Sequence, residues 1–574
     1  NNGVDGVDFQ FPDTARVCFA LQGTSTTVLI GAAMTPVTTP VDLTTLGPCV
    51  SNGNGSGMNM IVIMTDDQRF DTLSRMPNVT ELLVSRGVTF NNAYVPTPLC
   101  CPARATIYSG GFLSKNTGVL DNNLPNGGVT LFNDATTLGT VLQQTGYQTF
   151  FAGKWMNGYE RLGGYVPPGW DRFVGRRNWA TSTNWFFFRY TIGSSGQSSS
   201  IGTEALASGQ YNAYFERDRL LDFLDNLQPG KPFFAFWSPT PPHPPATPAP
   251  GHENLFNDYV YRDRGYNETD LSDKPLWVRD NTLPDGDDSF VRNQLRSLQS
   301  IDQSIADIID KLAALGQLDN TVFIYTSDNG YLWGEHGLWG KNKVYEESIR
   351  VPMVVVMPGV APRTDDHLVS ATLDVGPTVY ELAGVPRQSD GMSLVPLLQE
   401  PNALWRNELF FEKTVSGNYD NAIWAALRRG EWKYVRYWTG EEEFYNLLSD
   451  PYELESRHND ASVNSIKATL AARTTELLGL GIVPVKWFPP ATVNRNYSYQ
   501  LSTWGGVAPF TWRIASGQLP PGLTLNATTG AIQGTPTASG TFNFTVRVTD
   551  SSVASQVQTP RTFETDIFKI VVNP

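Results

Sequence analysis

MNMIVIMTDDQ, residues 58–68, is the stretch whose reading decides the fold. Met58 to Met64 form an apolar run, the pattern of a β-strand buried on both faces, and the run ends on Thr65-Asp66-Asp67. Similar runs recur at QTFFA (148–152), PFFAFW (232–237), TVFIYT (321–326) and PMVVVM (352–357). Helical periodicity lies between them. From Val291 the apolar positions are Leu295, Leu298, Ile301, Ile305, Ile308, Leu312 and Leu315. Steps of three and four mark an amphipathic helix that Gly316 closes. Buried strands alternating with helices predict an α/β fold with a mostly parallel central sheet.

Outward from this core the pattern changes. Residues 1–57 read as a Thr/Val-rich, β-prone segment ending in the linker SNGNGSG. The α/β pattern spans 58–400. Residues 401–487 read as a smaller antiparallel subdomain: WAALRRGEWKYVRYW and EEEFYNLL as strands, LAARTTELL as a closing helix. Residues 488–574 are all-β in character, with Pro-Pro-Gly and Thr-Gly turns, and predict a separate β-sandwich. The 574 residues carry 42 Lys and Arg against 56 Asp and Glu, a net charge of −14. Such a balance argues against a nucleic-acid partner. No apolar run reaches the ~18 residues of a transmembrane helix. The start at Asn1 and the sequons at Asn54, Asn78, Asn267, Asn496, Asn526 and Asn543 lead us to expect a processed, exported protein, secreted, cell-surface or periplasmic. Cys18 and Cys49 are expected to form a disulfide in the N-terminal segment.

In open α/β sheets ligands bind at the carboxyl ends of the strands. Here those ends carry Asp66-Asp67, Lys154, His243 (through SPTPPH) and Asp328-Asn329. Each alone has an ordinary reading: Asp caps helices, lysines are solvated, a histidine fits a Pro-rich turn. Together they describe one site. Asp66, Asp67, Asp328 and Asn329 form an all-oxygen set of the kind that Ca²⁺ prefers. Adjacent carboxylates at one buried strand end repel each other unless a cation lies between them. In TPLCCPARATIYSGG (97–111), Pro102 suits the first turn of a helix with Cys100 at its N-terminus and Arg104 nearby. A cysteine so placed is expected to have a lowered pKa. The alternatives are a pair of buried cysteines or a vicinal disulfide.

Cys100-Cys101-Pro102-Ala103-Arg104 resembles the Cys-x-Pro-x-Arg signature of the formylglycine-dependent (type I) sulfatases. TDDQ (65–68), AGKW (152–155), PPH (241–243), SDNG (327–330) and GKNKVYEESIRVP (340–352) agree with it, over roughly 58–485. CCPAR, AGKWMNGY and YVPPGWD look most like the glucosamine-6-sulfatase and heparan endosulfatase branch. The resemblance implies an alkaline-phosphatase-like fold; residues 499–549 resemble a bacterial Ig-like repeat, which makes the 488–574 domain an Ig-like β-sandwich. It implies that a maturation enzyme oxidises Cys100 to Cα-formylglycine before folding. The hydrated aldehyde then offers one hydroxyl to attack sulfur and a second to expel sulfate, which a serine lacks. By matched positions, Asp66, Asp67, Asp328, Asn329 and residue 100 hold one Ca²⁺ per chain. Arg104 holds the hydrated aldehyde, Lys154 and Lys341 neutralise sulfate oxygens, and His243 protonates the leaving oxygen.

The sequence departs from the family in places. Ala103 stands where most members carry Ser. Met156, followed by Asn157, stands where many carry a histidine two residues after the GKW lysine, leaving the base of the second step unassigned. KNTGV (115–119) stands where relatives often have HNHGV. Asn157 is a candidate substrate contact, and His336, in GEHGLWGK, is a candidate substrate or proton-transfer residue. The expected reaction is sulfate ester hydrolysis on a sulfated glycan or small aryl sulfate. Alternatives are a phosphonate or phosphate ester hydrolase on the same fold, or a non-catalytic extracellular assembly protein. The sequence assigns no oligomeric state.

Overall fold

A computed structural model describes residues 57–177, 189–195, 202–207, 210–283, 288–415, 422–479, 481–482, 488–504, 509–551, 562–564 and 568–574. Cys18, Cys49, Asn54 and the rest of the N-terminal segment lie outside the described residues.

The apolar runs become the strands of a ten-stranded sheet. Its members are β1 (Asn59–Thr65), β2 (Val88–Tyr94), β3 (Gln148–Gly153), β4 (Arg172–Arg176), β5 (Arg189–Gly193), β6 (Gly202–Ala205), β7 (Phe233–Ser238), β8 (Thr321–Ser327), β9 (Val354–Val356) and β10 (Arg363–Ser370). Their spatial order is β10-β2-β9-β8-β1-β7-β3-β4-β5-β6. The central strands β8, β1, β7, β3 and β4 are parallel, with Val62 beside both Ile324 and Phe236. Every residue of β1, β3, β7 and β8 is buried, which is why these runs lack a polar face.

PMVVVM departs from the parallel expectation. β9 is only three residues long and runs antiparallel to both β8 and β2. The segment joining β8 to β9 begins and ends at the same edge of the sheet, so the chain re-enters head to tail.

Helices cover both faces. α1 (Cys100–Tyr108) is buried throughout. α2 is Asn212–Asp225, and α3, Asp288–Ala314, is the periodic helix read from the sequence. Its apolar residues from Val291 to Leu312 are buried, while Leu315 lies beyond its end. Gly316 follows with φ +65°, where a side chain is strained. Then comes the single-turn helix α4 (Glu346–Ile349).

The next part of the chain is antiparallel: β11 (Glu408–Lys413), β12 (Trp424–Arg429), β13 (Trp432–Tyr437) and β14 (Glu442–Asn446), covered by α5 (Asn464–Leu478). One face of this sheet (Leu409, Phe411, Trp424, Val435) packs against Leu332, Leu338, Tyr345 and Ile349. The other face packs under α5 through Leu470. The last segment forms a five-stranded and a three-stranded sheet around Trp512, Ile532, Phe544, Val546 and Ile570.

Beside β3 the core is aromatic. Phe151 is fully buried, with its ring 5.1 Å from Phe173, 5.9 Å from Phe236 and 5.1 Å from Trp155. Phe151→Ala removes all three contacts. We expect it to destabilise the fold by about 3–5 kcal/mol, read as a lower denaturant midpoint in equilibrium unfolding.

Candidate active site

The carboxyl ends of β1, β3, β7 and β8 meet the N-terminus of α1 in one cluster. Asp66 and Asp67 leave β1. An isolated bridge between Asp66 and Pro242 brings the Pro-rich turn, and with it His243, to the same place. Asp67 has φ +69°, an uncommon conformation for a side-chain-bearing residue, and its amide donates to Asp328 Oδ1 (3.2 Å). Leu99 is extended, so α1 starts abruptly with Cys100 as its first residue. Cys100 Sγ lies 3.6 Å from Asp66 Oδ1 and 2.8 Å from Lys341 Nζ. One ligand atom each from Asp66, Asp67, Cys100 and His243 lies within 4.8 Å of the others.

Arg104 ties the cluster together. Its Nε donates to Asp328 Oδ2 (2.8 Å), and its Nη1 donates to the Lys154 carbonyl and to Ser238 Oγ (both 2.6 Å). Nη2 lies 3.5 Å from Asp66 Oδ2. Lys154 Nζ pairs with Asp66 Oδ2, and Lys341 Nζ with Asp67 Oδ1. Asn329 Nδ2 donates to the same Asp67 oxygen (2.6 Å). All of these side chains are nearly or fully buried, and only Lys341 (10%) and His243 (12%) reach solvent, which marks the mouth of the site.

Three carboxylates so close together cannot share one electrostatic state. Burial disfavours the charge of Asp66, but Lys154, His243, Arg104 and Lys341 outweigh it and hold its pKa well below 3.8. Burial, only partly offset by Lys341, together with Asp66 and Asp328, pushes Asp67 up to about 7. Burial and Asp66 raise Asp328 as well. His243 donates from Nδ1 to the Pro244 carbonyl (2.6 Å), which leaves Nε2 facing Asp67 Oδ2 at 3.7 Å. Burial holds its pKa well below 6.5.

Cys100 differs from expectation. Its pKa is pushed up to about 11, by burial first and then by Asp66. The lysines and the helix N-terminus do not offset full desolvation beside a carboxylate, so the unmodified side chain is a thiol. Cys101 is a second free, buried thiol that accepts from the Asn157 amide (3.2 Å), so there is no vicinal disulfide.

The donors fit a hard divalent cation. Asp67 Oδ2 and Asn329 Oδ1 are buried and have no hydrogen-bond partner. Unsatisfied oxygens are costly in a protein interior, and a cation held by Asp66, Asp67, Asp328 and Asn329 satisfies them.

The structure places the two expected substrate contacts differently. His336 is fully buried with φ +53°, in a turn that directs its ring inward against Tyr345 (4.0 Å). Its Nδ1 is 2.6 Å from Glu268 Oε2, so it is an interior residue and not an exposed contact. Asn157 lies beside α1, where its backbone amide donates to Cys101, the neighbour of Cys100.

Sequence reasoning missed three neighbours. Ser238 ends β7 and holds Arg104. Asn122 accepts the Cys101 amide with Oδ1 (2.8 Å) and so caps α1. Arg176 ends β4 beside Lys154, buried, where it feels Asp66, Tyr190 and Glu216. The strand-end rule, applied to β4, would have found Arg176.

Comparisons with known proteins agree with this geometry. A "Sulfatase" family profile matches residues 58–385, and a profile for "N-sulphoglucosamine sulphohydrolase, C-terminal" matches 334–478. An Ig-domain profile matches 487–566. The human N-acetylglucosamine-6-sulfatase is 32% identical over 380 residues, 62% of this chain and 67% of that one. A Caenorhabditis elegans protein named as a Sulf-1 homolog is 34% identical over 380 residues, and the match spans 62% of this chain and 52% of that relative. The solved structure of BT4656 with its substrate D-glucosamine-2-N,6-O-disulfate shares the fold, with TM-score 0.64 at 23% identity over 74% of this chain and 97% of that one. The phosphonate monoester hydrolase of Agrobacterium radiobacter does so at TM-score 0.58 and 23% identity, over 73% and 95%. With one family profile covering more than half of its residues and the signature cysteine set among the strand-end carboxylates, this chain belongs to the sulfatase family.

Proposed function

We propose that this protein hydrolyses sulfate esters of a sulfated carbohydrate or an aryl sulfate, with Ca²⁺ bound and residue 100 matured to Cα-formylglycine. The observation that carries the reading is the convergence of Asp66, Asp67, Asp328 and Asn329 on Cys100, with Lys154, Lys341 and Arg104 around them. Asp66, Asp67, Asp328 and Asn329, with residue 100, would hold the cation; oxygen donors favour Ca²⁺ over Zn²⁺. Bound there, the cation supplies Lewis-acid charge, and the aldehyde form of residue 100 supplies a hydrated carbonyl with two hydroxyls.

The chain's own side chains do the rest. Arg104 fixes Asp328, Ser238 and the Lys154 carbonyl, so it sets the geometry around residue 100. Lys154 and Lys341 bring positive charge to where the sulfate oxygens gather negative charge. His243, at the mouth, would protonate the leaving oxygen from Nε2, once an anionic substrate beside it favours the charged ring. Asp66, fully buried, pairs with Lys154 and holds it in place.

The phosphonate monoester hydrolases that share this fold favour a second reading, phosphonate or phosphate ester hydrolysis. A sulfate monoester carries one negative charge fewer than a phosphate monoester dianion, so relative rates on nitrophenyl sulfate and nitrophenyl phosphate separate the two.

Sulfated substrate, maturation enzyme and exported location form one consistent picture, in which the Ig-like segment serves spacing or attachment. Removing residues 488–574 is expected to leave turnover of a small aryl sulfate unchanged; its collapse in a folded truncated protein would assign the segment a role in the site.

Two further outcomes test the chemistry. Protein made with a maturation system should show the residue-100 peptide about 18 Da lighter than its cysteine form. Cys100→Ala should abolish turnover while leaving the unfolding midpoint in place, and substantial turnover by that variant would sink the mechanism.

Metal binding should also depend on pH. Asp67, raised to about 7, must lose its proton to become a ligand. Apparent Ca²⁺ affinity is therefore expected to rise from about pH 6 to about pH 8 and then level off, with proton release seen by calorimetry in two buffers. A flat profile, or full activity after exhaustive chelation, would contradict this assignment.

A further inference from the structure

Lys341 lies on a segment that bears on two other parts of the site. Asn342 N donates to the Pro98 carbonyl (3.0 Å), two residues before Cys100. Gly330, next to Asn329, donates to the Ser348 carbonyl (2.9 Å), and a Cβ on Gly330 would lie 2.1 Å from the Glu347 carbonyl oxygen. Residues 341–349 are therefore stitched both to the approach to α1 and to the Asp328-Asn329 turn.

From the opposite side this segment is gripped by the antiparallel sheet. Tyr345 donates its hydroxyl to Glu443 Oε1 (2.8 Å), which also accepts from Tyr445 (2.6 Å), while Tyr437 donates to Oε2. Lys433, fully buried on β13, ion-pairs with Glu453 (2.7 Å) and Glu346 (3.4 Å). Glu346 donates its amide to Glu453 Oε2 (2.8 Å) and accepts from the Tyr94 hydroxyl (2.7 Å). The Tyr345 ring lies tilted against His336, and Glu268, itself paired with Lys274, holds His336 Nδ1.

Stability alone is a poor explanation for this network. A buried ion pair is often no more stabilising than apolar residues of the same volume, because desolvating the charges offsets their attraction. What such a network does supply is a single geometry. The two gripped residues, Tyr345 and Glu346, stand directly between Lys341 and the Glu347–Ser348 backbone that packs on Gly330.

We propose that Glu443 and Lys433 are positioning residues: acting through Tyr345 and Glu346, they fix Lys341 and Asn329, so the C-terminal subdomain is a working part of the active site. The proposal rests on the sulfate-ester reading for what Lys341 does, and on contacts alone for how it is held.

The test uses Tyr345→Phe, which deletes one hydroxyl and keeps the ring on His336, and Glu443→Gln, each in the full chain with maturation. Turnover of nitrophenyl sulfate is measured per mole of folded, formylglycine-bearing protein, and amide hydrogen exchange is followed over 327–349. Expected are a fall in kcat of about 10-fold with KM within about 2-fold, and faster exchange over 327–349 with β11–β14 still protected. Parental kcat and parental exchange in both variants would overturn the proposal. So would a lower melting temperature with parental kcat, the mark of a merely structural role. Should Glu443→Gln fail to fold, the single-hydroxyl deletion decides alone. A parent chain with no sulfatase turnover would instead refute the sulfate-ester reading, and the exchange measurement would still decide whether the network holds the loop.

Discussion

Three carboxylates and three cations packed together out of water are the constraint around which this protein is organised. Asp66, Asp67 and Asp328 face Arg104, Lys154 and Lys341, all close to fully buried. Removing one partner of such a set leaves an uncompensated buried charge, at about 3–5 kcal/mol. The charges therefore have to be delivered together, and a parallel sheet does that well. Four strand ends point the same way at a fixed spacing, and α1 adds Cys100 and Arg104 from a helix that touches no solvent.

The same constraint explains why so much polar structure surrounds the site. Ser238 and the Lys154 carbonyl occupy Arg104 Nη1. Asn122 occupies the Cys101 amide. Behind Lys341, Glu443 collects three tyrosine hydroxyls and Lys433 collects two carboxylates. Most of these groups are satisfied by neighbours from a different part of the chain. Local sequence changes therefore propagate into the site through contacts that no short motif records.

That is also the boundary of what the sequence disclosed. The strands were legible because burial on both faces leaves an unbroken apolar run, and α3 was legible because its stripe has helical spacing. The site was legible where chemistry sits at a strand end: Asp66, Asp67, Lys154, Asp328 and Asn329 come together as their positions imply. Arg104 was legible from its place one turn into α1. The reading ran out where long-range packing decides. The thiol of Cys100 depends on how thoroughly α1 is buried, which a sequence pattern does not report. His336 shares a segment with Lys341, yet its turn aims it at Tyr345 and Glu268. Nothing local in WKYVRYW or EEEFYNLL shows that Lys433 and Glu443 face the core, because in a strand that depends on which side the partner sheet lies.

Consider finally that Cys100 is wholly enclosed, its thiol wedged between Asp66 and Lys341. Any enzyme that rewrites this side chain has to meet it while the chain is still open. Under the proposed function, conversion would therefore have to precede closure of the strands, and a chain that folds with cysteine in place would keep it. A purified batch would then be a fixed mixture whose proportions were set during synthesis, and neither longer incubation nor added metal would raise its specific activity.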